Sequence, residues 1–238
     1  MSISSLVQKK ISGFKKGSVF TCANFAALGN FQAVSLALSR LNKTGAIKRL
    51  SKGQYCIPDK TKFGTPLMPS ENQIMELLLK KNGGYFAGIS ALSRMGITTQ
   101  VPSEIILMGS RSNRKLRVGN LRVRFIKGGC KISSAKDLKL TNVLETLRLF
   151  KQISAPQQGE TILKLNSCLK ELDDKETQRL ITLSSAYRPW IRALLGALLQ
   201  NLSISGWRVL KDGLNPISAY NIDIADDLLP NQTSWRIR

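Results

Sequence analysis

Histidine is absent from this chain of 238 residues, and acidic side chains are scarce, 15 against 36 lysines and arginines. Without histidine, no Ser-His-Asp or Cys-His nucleophile and no Cys/His zinc site can be assembled. Cys22, Cys56, Cys130 and Cys168 include no close pair, so they read as buried reduced thiols. Neither a GxxxxGK(S/T) phosphate loop nor a GxGxxG fingerprint occurs. The start, MSISSLVQKK, lacks a secretory apolar run, and the longest apolar stretch, around Ile191 to Leu202, is interrupted by Arg192 and Gly196. A cytoplasmic protein with no membrane partner is expected. The one dense group of acids, Glu171, Asp173, Asp174 and Glu176, lies at an expected helix end beside Lys170 and Lys175, where a solvated turn explains it better than a metal site. No enzyme chemistry and no cofactor are expected; a metal-dependent nuclease is kept as the alternative from another class.

What is present is positive charge. The formal balance is +21 with a pI near 10.2, which favours a phosphate-bearing partner or an acidic protein surface. In the first 58 residues it is one-signed: Lys9, Lys10, Lys15, Lys16, Arg40, Lys43, Lys48, Arg49 and Lys52 stand without one Asp or Glu. Such a field raises the local concentration of a polyanion and speeds encounter.

Hydrophobic spacing supplies the fold. Ile3, Leu6, Val7 and Ile11 recur at helical intervals and turn Lys9 and Lys10 outward. Thr21 caps a short helix through Leu28, Gly29 breaks it, and Asn30 caps a third helix whose stripe is Val34, Ala37, Leu38 and Leu41. The segments 46–50 and 54–57, joined by Ser51, Lys52 and Gly53, read as a hairpin. Three helices and a hairpin predict an N-terminal winged helix-turn-helix over residues 1–65. Pro58 to Pro69 reads as a linker.

The larger domain, residues 66–238, is expected to be α+β. Ser70 caps a helix, Gly83 and Gly84 break it, and another follows from about Ala87 to Met95. EIILMG, KLRVG and LRVRFI read as a small antiparallel sheet, with a tight turn at Gly119 and Asn120. From Leu138 onward TNVLETLRLFKQI, TILKLNSCLKEL, TQRLITLSSAY and WIRALLGALLQNL carry helical stripes. The whole is expected to be α+β and predominantly helical.

The run GSVFTCANFAALGNFQAVSLALSRLNKTGAIKRLSKGQYCIP resembles the head of AbiEi-type antitoxins of bacterial type IV toxin–antitoxin systems, a winged-helix regulator family linked to phage defence. ALSRMGITTQVPSEIILMGSRSNRKLRVGNLRVRFIK is similar to their next block, and RPWIRALLGALL to their C-terminal helix. Phe31 stands where that family usually has an arginine or another polar residue. The resemblance implies a repressor of its own promoter, binding double-stranded DNA at inverted repeats. It also implies a C-terminal domain that counters a nucleotidyltransferase-like toxin, directly or indirectly. A stand-alone transcription factor with an oligomerising or ligand-sensing second domain is the alternative.

A helix-turn-helix presents its third helix to base edges and its flanking cations to phosphates. Asn30, Gln32, Ser35, Ser39 and Arg40 are the base-facing candidates, Asn30 also being a cap; Lys43, Lys48, Arg49 and Lys52 are the backbone-facing ones. A second basic run, Arg111, Arg114, Lys115, Arg117, Arg122 and Arg124, has no acid between residues 105 and 135. It fits DNA, RNA, an acidic toxin surface or plain solubility equally well.

Overall fold

The computed structural model describes residues 2–51, 53–60, 66–67, 74–76, 78–79, 83–100, 102–110, 113–118 and 120–238. The protein is α+β and predominantly helical. Its chain divides into two compact units, Met1–Asn82 with Leu116–Val123, and Gly83–Lys115 with Arg124–Arg238. The expected linker falls partly outside the described residues, as does the Ser70 cap; within it Asp59–Lys60 (β4) and Pro66–Leu67 (β5) pair antiparallel.

In the first unit α1 (Ile3–Ser12) is capped by the Ser2 hydroxyl, which accepts from the Ser5 N–H. Cys22–Leu28 is a 3-10 helix, tightened by a capping box in which Asn24 returns to the Thr21 N–H at 2.8 Å. Then comes α2 (Phe31–Lys43), with Asn30 at its N-cap. A three-stranded antiparallel sheet follows the order β1 (Val19–Thr21), β3 (Gln54–Cys56), β2 (Lys48–Ser51). Strand β1 escaped the sequence reading, because three residues with one inward side chain leave no period to detect. Val7, Ile11, Phe25, Val34, Leu38 and Ile47 form the core, with the rings of Phe14, Phe20 and Phe25 within 5.5–5.9 Å of one another.

The second unit carries a four-stranded sheet in the order β6 (Tyr85–Ala87), β7 (Ile105–Ser110), β9 (Leu121–Lys127), β8 (Arg114–Val118), whose last two strands the unit boundary crosses. Ala87, the expected start of a helix, instead ends β6, and α3 runs only from Ile89 to Arg94. The reason is tertiary. Gly84 lies flat against the Met108 carbonyl with a φ of +94°, an approach that any Cβ would block, and this seats Tyr85 opposite Met108 in antiparallel register. Four long helices follow, α4 (Lys136–Leu149), α5 (Ala155–Lys170), α6 (Asp174–Ser184) and α7 (Pro189–Asn201), then the unforeseen α8 (Trp207–Asp212). Each long helix coincides with one of the four stripes in the sequence. Three of the acids at the junction of α5 and α6 have structural duties: Asp173 and Glu176 form a capping box, Glu171 pairs with Lys139 and Glu176 with Lys136. Among the described residues no helix is long and apolar enough to cross a membrane.

Candidate nucleic-acid interface

The core stripe of α2 fixes which side chains remain outside. Val34, Ala37 and Leu38 are buried; Gln32, Ser39, Arg40 and Lys43 are exposed, and Ser35 is half-buried. Gln32, Ser35, Ser39 and Lys43 recur at three- and four-residue steps and so share one face. Asn30 is committed in part, its Oδ1 accepting from the Ala33 N–H at 2.8 Å, which leaves its amide hydrogens free for another acceptor. Arg40 and Lys43 lie in the last turn, where the helix dipole favours cations.

Lys48 and Arg49 are exposed on β2. Their strand is tied to the end of α2 by Asn42, whose Oδ1 accepts from the Arg49 N–H at 2.9 Å, and the Arg49 side chain reaches back to the Ser51 carbonyl at 3.3 Å. Arg40, Lys43, Lys48 and Arg49 are thereby held on adjoining elements. Lys52 lies outside the described residues. Burial pushes the Cys56 thiol up, against a smaller opposing pull from Lys48, so it stays a packing group.

Sequence reasoning left two side chains of this helix out of the candidate set. Phe31 is 71% and Leu36 54% exposed, although both belong to a helix with a complete apolar stripe on its other side. Both are large apolar groups in water on the face of α2 turned away from its core. The detectable signal was that neither falls in the Val34, Ala37, Leu38, Leu41 series.

In the second basic run Arg111 lies outside the described residues; Arg114, Lys115, Arg117 and Arg122 are exposed. Arg124 is half-buried and pairs with Glu104 at 2.9 Å, an acid one position outside the acid-free window. The Arg114 guanidinium stacks over Phe125 at 4.4 Å from the ring centroid. Buried Val123 and Phe125 alternate with exposed or half-buried Arg122 and Arg124, as the strand pattern predicts.

The sequence matches the model of a family of unknown function, DUF6088, over residues 6–176. The chain belongs to that family. No curated protein matches it. Among solved structures it is similar to the crystal structure of the RV2827C protein from Mycobacterium tuberculosis, at 13% identity and a TM-score of 0.48, over 92% of this chain and 82% of that one.

Proposed function

We propose that the N-terminal elements form a winged helix-turn-helix that binds double-stranded DNA in the cytoplasm without catalysing a reaction on it. In this assignment α2 enters the major groove and the β2–β3 hairpin meets the backbone. The observation that supports it is the exposed face of α2 beside the cations Arg40, Lys43, Lys48 and Arg49, in a segment with no acid among its first 58 residues. Gln32 has the donor and acceptor to pair with adenine, and Phe31 offers an apolar contact to a thymine methyl. The resemblance of the chain to AbiEi-type antitoxins supports autorepression at its own promoter, and a second domain that counters a nucleotidyltransferase-like toxin.

DNA affinity measured against salt tests the interface. Each phosphate contact contributes roughly 0.9 to the log–log slope, so changing Lys43, Lys48 and Arg49 together to Ala should flatten it by about 2 to 3 and weaken operator and random DNA alike. An unchanged slope would remove the hairpin from the contact surface. Gln32→Ala and Phe31→Ala should act differently, each costing about tenfold on the operator with little change on random DNA. Equal losses on both would mean that α2 does not read bases. The antitoxin role is checked by co-expression with the neighbouring toxin gene: Arg122→Glu, at an exposed and unburdened position, should reduce growth rescue while leaving operator binding intact, if that strand meets an acidic partner.

A further inference from the structure

Within the second unit, α4 and the turn that extends it, the start of α7, β6 and β7 line a cleft of about 520 Å³. Its wall contains Glu145, a carboxylate with no exposed surface in the middle of a helix. Burying that charge is costly unless donors meet it, and here four do. Glu145 Oε2 accepts from Arg148 Nε at 3.0 Å, Arg148 Nη2 at 2.6 Å and the Gly88 N–H at 3.2 Å, while Oε1 accepts from the Tyr187 hydroxyl at 3.1 Å. The Tyr187 oxygen lies 3.3 Å from the Tyr85 hydroxyl, which in turn accepts from the Cys130 N–H. Burial foremost, with the Glu145 charge adding to it, pushes both phenols up and keeps them neutral.

The effect of this network is to fix a guanidinium. Arg148 is 35% exposed, and its fork is locked in the cleft wall by a carboxylate that is itself held from two sides, the layered support that pre-organises a binding group. One turn further on, Lys151 stands over the Trp190 ring at 4.7 Å from its centroid. Arg188 is the N-cap of the 13-residue α7, whose dipole adds positive potential. Lys151 and Arg188 are exposed, and among the described residues neither has a carboxylate partner. Three cations against one carboxylate leave two positive charges facing the cleft.

We propose that this cleft binds a small phosphate monoester of mononucleotide size, its phosphate held by Arg148, Lys151 and Arg188 and its organic part lying along Tyr85, Met108 and Ile191. Two uncompensated positive charges match a phosphate dianion, and guanidinium and ammonium donors are the groups that recognise one. The volume lies within the range of small-molecule sites and far exceeds what a bare ion fills. None of this depends on DNA binding by the N-terminal unit.

Titration calorimetry on the full chain with adenosine 5′-monophosphate tests the assignment, with adenosine and inorganic phosphate as partial ligands. The monophosphate should bind in the micromolar range, and each partial ligand should bind at least about tenfold more weakly. Lys151→Ala with Arg188→Ala should weaken the monophosphate by about tenfold or more without lowering thermal stability, since both side chains are exposed. Arg208→Ala with Lys211→Ala, which removes the same charge from α8, should change it less than about twofold. A single-stranded oligonucleotide distinguishes the source of the ester: competition by its 5′-phosphorylated form but not its 5′-hydroxyl form places the ester at a nucleic-acid end, and competition by neither places it on a free nucleotide. The proposal is overturned if the monophosphate does not bind at about 1 mM, if adenosine or inorganic phosphate binds as tightly, or if the α8 pair matters as much as Lys151 and Arg188.

Discussion

Gly196→Ala is expected to destabilise the protein by about 2 to 3 kcal/mol, the reverse of what its helical position suggests. In a helix interior, alanine is favoured over glycine by about 1 kcal/mol. Here the backbone of α7 is pressed against the Trp235 ring, and a methyl group on Gly196 would overlap three of its atoms. The ring cannot retreat easily. Trp235 is 2% exposed, its indole N–H donates to Gln200 Oε1 at 2.7 Å, and Trp207 meets it edge-on at 6.3 Å between centroids. Overpacking costs about 1 to 3 kcal/mol and occasionally more; with three atoms of a held ring in the way it reaches about 3 to 4 kcal/mol here, which less the gain of about 1 kcal/mol in helix propensity leaves the net loss. Thermal unfolding should shift down by roughly 5–10 °C. The decisive measurement is the double variant: in a Trp235→Leu background the added methyl has room, so Gly196→Ala should become neutral or stabilising. The same penalty in both backgrounds would show that the ring is not its cause.

Asp137→Asn is expected to cost about 2 to 3 kcal/mol at neutral pH and progressively less in acid. Asp137 is buried at the start of α4, and both its oxygens face Arg179 on α6, with Nη2 to Oδ2 at 2.7 Å and Nε to Oδ1 at 3.1 Å; the Ser133 N–H adds a bond at 2.7 Å. The Arg179 guanidinium holds this carboxyl well below the usual carboxylate range, against the opposing effect of burial. Because the folded value lies below the unfolded one of about 3.9, the stabilisation is full above that value and is lost as pH falls through and below it. Removing one partner of a buried pair costs about 3 to 5 kcal/mol; partial exposure of Arg179 brings the expectation down. Urea unfolding of the two proteins should give a difference about 1 kcal/mol smaller at pH 3 than at pH 7, because at pH 3 the unfolded carboxyl is mostly protonated and the folded one is not. A difference that does not change with pH would assign the loss to packing.

The pair also explains how three segments meet. Arg179 Nη2 donates to the Lys131 carbonyl at 2.9 Å as well, so one guanidinium joins the loop before α4, the first turn of α4 and α6. In sequence these residues are 42 to 48 positions apart, and their partnership has no local trace.

Much of the chain was nonetheless readable. The cap at Asn30, the stripe of α2, the β2–β3 hairpin and the four C-terminal helices follow from side-chain spacing, because each is decided within a few residues. The candidate interface was legible to the same extent: which residues of α2 turn outward is set once its buried stripe is known. Composition also determined the one-signed charge of the first 58 residues, and the absence of histidine removed whole classes of chemistry before any folding was considered.

Only the tertiary structure decided the rest. It turned Tyr85–Ala87 into a strand by pressing Gly84 onto Met108, and took Arg124 out of the free basic set by bringing Glu104 to it. It also placed Glu145, Arg148, Lys151, Tyr187 and Arg188 around one cleft, although two of these residues come from a segment some forty positions away. The physical reason is common to all of these cases. Backbone conformation over a turn or a helix is set by nearest neighbours, whereas burial, ion pairing and cavities depend on which distant surfaces meet, and one-dimensional spacing holds no measure of that.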